Sequence, residues 1–67
     1  MIEIRLNGEP RAIDEAASIT DLLTEIGIAP RKVAVERNLE IVPKSQFAQT
    51  ALQAGDRIEI VQFVGGG

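Results

Sequence analysis

Apolar and polar residues alternate from the start of the chain, with Ile2, Ile4 and Leu6 set against Glu3 and Arg5. A period of two marks a strand with one face buried. The run ends at Asn7-Gly8, a pair that readily takes the positive φ angles of a type I′ turn. The chain is therefore expected to reverse and return as a second strand through Arg11, Ala12 and Ile13. In that register Ile2 faces Ile13 and Arg11 faces Ile4. The arginine stem must then lie along apolar surface, or the strand must be an irregular edge, which Pro10 favours.

The period then changes. Ile19, Leu22, Leu23 and Ile26 recur at i, i+3, i+4 and i+7, one face of a helix. Ser18 stands at its N-cap position with Asp21 three residues on, where a capping box has its acid and where negative charge suits the helix dipole. Gly27 supplies a left-handed stop and Pro30 prevents resumption. Beyond it, Val33-Ala34-Val35 is a β-branched run suited to a buried strand. Arg37-Asn38 is turn-prone, and Ile41-Val42 is a second short run cut off by Pro43. Lys44 to Leu52 predicts a short helical turn whose Phe47 plugs one end of the core. Gln53 to Asp56 reads as a turn launching the last strand, with Ile58, Ile60 and Gln62 on one face and Val61 and Phe63 on the other. A last strand apolar on both sides is central in its sheet or has its outer face covered by a partner. The pattern predicts an α+β domain, a mixed sheet with one main helix packed across one face.

Composition narrows the function classes. The chain has 67 residues, 45% of them hydrophobic, two phenylalanines and no cysteine. Such a chain makes one small domain held by aliphatic packing, without disulfides or thiolate metal ligands. Seven basic against ten acidic residues give a net charge of −3. No basic stretch is interleaved with aromatics, which argues against nucleic acid as a partner. No apolar run is long enough for a bilayer, and the opening MIEIRL has no basic-then-apolar leader, so no membrane partner and a cytoplasmic setting are expected.

Candidate chemistry is sparse. Histidine, cysteine, tyrosine and tryptophan are all missing. Ser18 is better explained as a helix cap, and neither it nor Ser45 has a histidine to activate it. Lys44 and Ser45 are adjacent and so project in different directions. Asp21 and Glu25 read as a solvated helix face, and no acidic run has calcium-loop spacing. An enzyme acting on its own is the weakest reading, and no metal site is expected. What stands out is the end of the chain, Gly65-Gly66-Gly67, directly after an apolar strand. Four residues beyond Phe63 can extend about 13 to 14 Å. Glycine lacks a Cβ, so a narrow channel in another protein could admit this backbone and leave its last carbonyl open to attack. A carboxylate must first be activated, for instance as an acyl-adenylate, which requires a partner holding ATP and magnesium. The alternative is a slack terminus.

The stretches IRLNGEP, SITDLLTEIGI, VAVERNLEIVPKSQF and LQAGDRIEIVQFVGGG together resemble the ThiS family, sulfur carriers of thiamine biosynthesis with the β-grasp, ubiquitin-like fold. The more specific parts are the valine run, Asn38, Val42-Pro43-Lys44, Phe47, Gly55-Asp56 and the terminal glycines. The resemblance implies a β-grasp domain over residues 1–64 with a flexible glycine tail at 65–67. It implies that an adenylating enzyme of the ubiquitin-activating type (ThiF-like) spends ATP to activate Gly67. A sulfur donor, usually a persulfide from a cysteine desulfurase, then leaves a thiocarboxylate there. A ThiG-like thiazole synthase takes the sulfur into the thiazole ring. Gly66 and Gly67 match the functional diglycine, and Gly65 adds reach. No cofactor is implied on the carrier itself.

Val61, Phe63 and Val64 are the candidate contact surface for those partners, with Phe63 equally open to being a core residue. Arg57, Arg37 and Lys44 are candidates for steering an acidic partner. A molybdopterin-pathway sulfur carrier, a ubiquitin-like modifier and an interaction module with an idle tail remain alternatives.

Overall fold

The structure, a computed structural model, describes residues 1–63. Residues 64–67, which hold Val64 of the candidate surface and the whole glycine segment, lie outside the described residues.

The first hairpin forms as the alternation predicts. Strands β1 (Ile2–Leu6) and β2 (Glu9–Ile13) pair antiparallel with Ile2 opposite Ile13 and Ile4 opposite Arg11. Asn7 and Gly8 both have positive φ, 50° and 86°, as a type I′ turn demands. Pro10 is tolerated because β2 is an edge of the sheet. Arg11 is half-buried, its stem laid over the apolar face and its guanidinium 3.4 Å from Glu25.

Helix α1 (Ile19–Ile26) buries Ile19, Leu22 and Leu23. Its free N-terminal amides are fully occupied. The Asp21 N–H donates to Ser18 Oγ at 3.1 Å, while the Ser18 N–H donates to Asp21 Oδ2 at 2.9 Å, closing the capping box. The Ile19 and Thr20 amides bond the carbonyls of Thr50 and Phe47, tying the helix start to the segment before the last strand. Gly27 ends the helix at φ 79°, and the Ile28 N–H returns to the Leu23 carbonyl at 2.9 Å in a Schellman arrangement. Replacing Ser18 by alanine is expected to cost about 1 kcal/mol. Urea unfolding measures this, and an unchanged midpoint would show the Thr50 and Phe47 contacts to be sufficient.

Pro30 stops the α-helix and itself opens a 3₁₀ turn, Pro30–Lys32, as its fixed φ suits a first helical position. Strands β3 (Val33–Arg37) and β4 (Glu40–Val42) form a second hairpin. Its turn falls one residue later than the sequence predicts. Arg37 is still paired in the strand, and Asn38 and Leu39 make the turn at φ 52° and 71°. Leucine is an unusual residue for that backbone, which is why composition pointed one position early. A second 3₁₀ turn, Lys44–Gln46, delivers Phe47 into the core, where it is buried.

The last strand, β5 (Arg57–Gln62), is central: the sheet order is β2-β1-β5-β3-β4, with β5 parallel to β1 and antiparallel to β3. Residues of β1, β2, α1, β3 and β5, with Phe47 and Leu52 from the segment before β5, meet in one core of Ile4, Ile13, Ile19, Leu22, Leu23, Val33, Val35, Phe47, Leu52, Ile58 and Ile60, against which Val42 of β4 packs from the margin. One helix across a five-stranded mixed sheet is the β-grasp arrangement.

Candidate functional site

The core ends at Ile60 and the chain continues outward from it. Val61 is 62% exposed and Phe63 is 53% exposed, so Phe63 belongs to the surface and not to the core. For Val61 the period of two decides this, since Ile58 and Ile60 point inward and put it on the face away from the helix, whereas Phe63, one residue past β5, stands beside a groove at the end of α1. Directly beside Val61 lies Ala34 of β3. One row further from the chain end the face turns charged, with Glu59 opposite Glu36, and beyond them Arg57 beside Arg5. An apolar strip thus lies at the end of β5, and the charged rows lie toward its start.

Phe63 is held in place from two sides. Its N–H donates to the Lys32 carbonyl at 2.9 Å, extending the β3–β5 ladder by one residue, and the Lys44 ammonium stands 5.1 Å from the centre of its ring. Lys44, an expected steering residue, is thereby placed at the end of β5. Lys32 joins it there without any warning in the sequence, because only strand pairing brings residue 32 next to residue 63.

On the β1 side, β5 outruns its partner. The Asn7 side chain fills the gap: its Oδ1 accepts from the Ile60 N–H at 2.8 Å and its Nδ2 donates to the Ile60 carbonyl at 3.4 Å. The asparagine thus stands in for another strand residue and keeps β5 ordered up to the point where the core stops.

The start of β5 is fixed by a different device. Asp56 is 6% exposed. Its Oδ2 accepts from Arg37 Nε and the Gln53 N–H, both at 2.9 Å, and its Oδ1 accepts from Asn38 Nδ2 at 3.1 Å. Asn38 Oδ1 in turn accepts from the Arg57 N–H at 2.9 Å. Burial alone would raise the Asp56 pKa, but the Gln53 amide, the Arg37 side chain and Asn38 outweigh it and hold the carboxyl below its ordinary 3.8. Arg37 is therefore a structural ion-pair partner, not a free steering charge. Among the four residues of the predicted turn Gln53 to Asp56, sequence reasoning saw the turn and missed the anchor.

Among the described residues no group of three or more His, Cys, Asp or Glu side chains is placed to hold a metal ion. No helix among them is long and apolar enough to cross a membrane.

Comparison with known proteins accounts for this arrangement. The chain is 53% identical over 98% of its length to the thiazole synthase of Paramagnetospirillum magneticum, but spans only 20% of that protein. It is 40% identical to the sulfur carrier protein ThiS of Bacillus subtilis, over 96% of this chain and 98% of that one. Its fold superposes on the crystal structure of the thiamine biosynthesis protein ThiS from Geobacter metallireducens with a TM-score of 0.83 at 33% identity, covering 98% of this chain and all of that one. The sequence profile of the ThiS family matches residues 4–67. The chain belongs to the ThiS family.

Proposed function

We propose that this chain carries sulfur for thiamine biosynthesis on Gly67. The observation that supports this most directly is that the family match runs through the glycine segment to residue 67. An adenylating partner of the ubiquitin-activating type, using ATP and magnesium, joins the Gly67 carboxylate to AMP and releases pyrophosphate. The adenylate turns a poor electrophile into a good one by giving the carbonyl a phosphate leaving group. The outer sulfur of a sulfur donor, such as the persulfide of a cysteine desulfurase, attacks the carbonyl and expels AMP to give an acyl disulfide. A second thiol then attacks the donor's sulfur, breaking the S–S bond to leave the thiocarboxylate on the glycine and a disulfide on the two thiols. A thiazole synthase then takes the sulfur. Thiazole synthases that contain a stretch similar to this chain over a fifth of their length support that partner over a molybdopterin-pathway acceptor. A cytoplasmic setting suits the cycle, since persulfides and thiols persist there.

The division of labour fits the physical chemistry of the chain. The domain supplies a rigid grip, with Val61, Phe63 and Val64 as the contact surface next to the reacting end. Gly65 and Gly66 supply slim backbone for the partner's channel.

The test is the intact mass of the chain ending at Gly67 after incubation with ATP, magnesium, an adenylating enzyme, a cysteine desulfurase and cysteine. A gain corresponding to sulfur in place of one oxygen, localised to the C-terminal fragment, is expected. An unchanged mass alongside a loaded control carrier would overturn the proposal. A conjugate joined to a lysine would replace it with a modifier role.

A further inference from the structure

The ten acidic and seven basic residues are unevenly distributed over the fold. Residues 26–35, 41–55 and 60–67 contain Arg31, Lys32 and Lys44 and not one acid, while the remaining positions hold four basic against ten acidic residues. Tertiary structure brings these acid-free segments together. Lys32 is bonded through its carbonyl to the Phe63 amide, Lys44 lies over the Phe63 ring, and Arg31 adjoins Lys32 in the same 3₁₀ turn. The groove between the end of α1 and the end of β5 is lined by Gly27, Ile28, Ala29, Lys32, Gln62 and Phe63, without a carboxylate. The basic residues that have a carboxylate within ion-pair reach among the described residues are Arg11 and Arg37, both elsewhere. An acidic domain therefore presents a local positive collar around Phe63, at the end of β5.

We propose that Lys32 and Lys44 form a docking collar for an acidic rim on the adenylating partner, with Phe63 as its apolar centre. This rests on the carrier function proposed above. The charge pattern fits a carrier, because a shuttle must find each partner quickly and also leave it with its cargo. Complementary rim charges raise the association rate more than they slow release, and they repel wrongly oriented encounters. The excess of acid over the rest of the domain does the second job, weakening encounters of an acidic surface with the other faces, where the Arg5 and Arg57 pair is the one basic exception among the described residues. The ammonium of Lys44 remains available, since an exposed contact with an aromatic ring holds it only weakly.

The experiment is ATP–pyrophosphate exchange with an adenylating enzyme of the ubiquitin-activating type, run at low salt and at about 0.3 M salt, where the screening length falls well below 10 Å. For the unaltered chain KM is expected to rise several-fold with salt. The double variant Lys32→Glu/Lys44→Glu is expected to raise KM about tenfold or more at low salt with kcat unchanged, and to flatten the salt dependence. Lys32→Arg/Lys44→Arg, which keeps the charge, should restore KM to within about twofold. So should Arg5→Glu, a reversal beside Arg57 at the opposite end of β5, taken as the position control.

Unaltered KM and salt dependence in the double glutamate variant, with the unaltered chain active, would remove the collar and leave the carrier function standing. An unaltered chain that supports no exchange with an enzyme active on another carrier would remove both. A self-associated species in solution that the double glutamate variant disperses would assign the collar to a second copy and overturn its assignment to the adenylating partner.

Discussion

Removing Gly66 and Gly67 is expected to take ATP–pyrophosphate exchange and sulfur loading to background, while the melting temperature stays within about 2 °C of the intact chain, an effect under 1 kcal/mol. Function and stability separate because the last residue of the core is Ile60 and the last described backbone bond of the sheet is made by Phe63. Gly67→Val should match the deletion in activity. A β-branched side chain crowds the carbonyl that must be attacked and fills a channel shaped for glycine. Exchange at the normal rate with Gly67→Val would show that backbone slimness is not what the partner selects. A drop of more than about 5 °C in either variant would mean that the glycine segment packs on the domain.

The largest loss of stability is expected at the other end of β5. Asp56→Asn leaves the oxygen count of the carboxylate one short and turns an NH₂ toward Arg37 Nε, the Gln53 N–H or Asn38 Nδ2, all of them donors. Breaking a buried charge pair by removing one partner costs about 3 to 5 kcal/mol, and the partial exposure of Arg37 reduces this to roughly 2 to 4. For a domain of this size that corresponds to a melting temperature lower by roughly 15 to 30 °C.

The effect carries a pH signature. Because the folded-state pKa of Asp56 lies below its unfolded value, the unfolded chain binds more protons in the interval between them, and stability there rises with pH. The Asp56 contribution is complete above its ordinary value of 3.8 and is lost as pH falls through the lowered folded value. The gap between the unaltered chain and Asp56→Asn should thus be constant near neutrality and close below about pH 4. Denaturant unfolding at several pH values measures it, and a gap that persists undiminished at pH 2 would show that the network contributes through shape and not through charge.

How much of this could be read from the chain differs by residue. Asn7-Gly8, Ser18 with Asp21, and Gly27 act within a few positions of themselves. A turn needing positive φ, a cap needing an acceptor three residues on, and a left-handed stop are local requirements that composition alone can meet. The two apolar faces of the last strand likewise pointed to a central place in the sheet or a partner over its outer face, and the strand is central. The Arg37-Asn38 turn was placed one residue early because Leu39 carries a conformation its side chain disfavours, and nothing local announces that.

The site shows the same division. The end of the chain was legible because glycines after an apolar strand are a compositional event. The role of Asn7 toward Ile60 spans 53 positions, and those of Asp56 toward Arg37 and Asn38 span 19 and 18. In each case a side chain satisfies backbone or charge in an element that only the folded sheet brings near.

By itself, then, the sequence determined the order of the main elements, the inward and outward faces of the strands and the helix ends, all of which depend on periodicity and short-range chemistry, while the family resemblance rests on particular residues from Asn38 to the terminal glycines. The tertiary structure alone decided that Phe63 stands outside the core, that Arg37 is bound to Asp56, and that Lys32 and Lys44 flank Phe63. Those outcomes depend on pairing β5 between β1 and β3. Distance along the chain gives no measure of distance in space once that pairing is made.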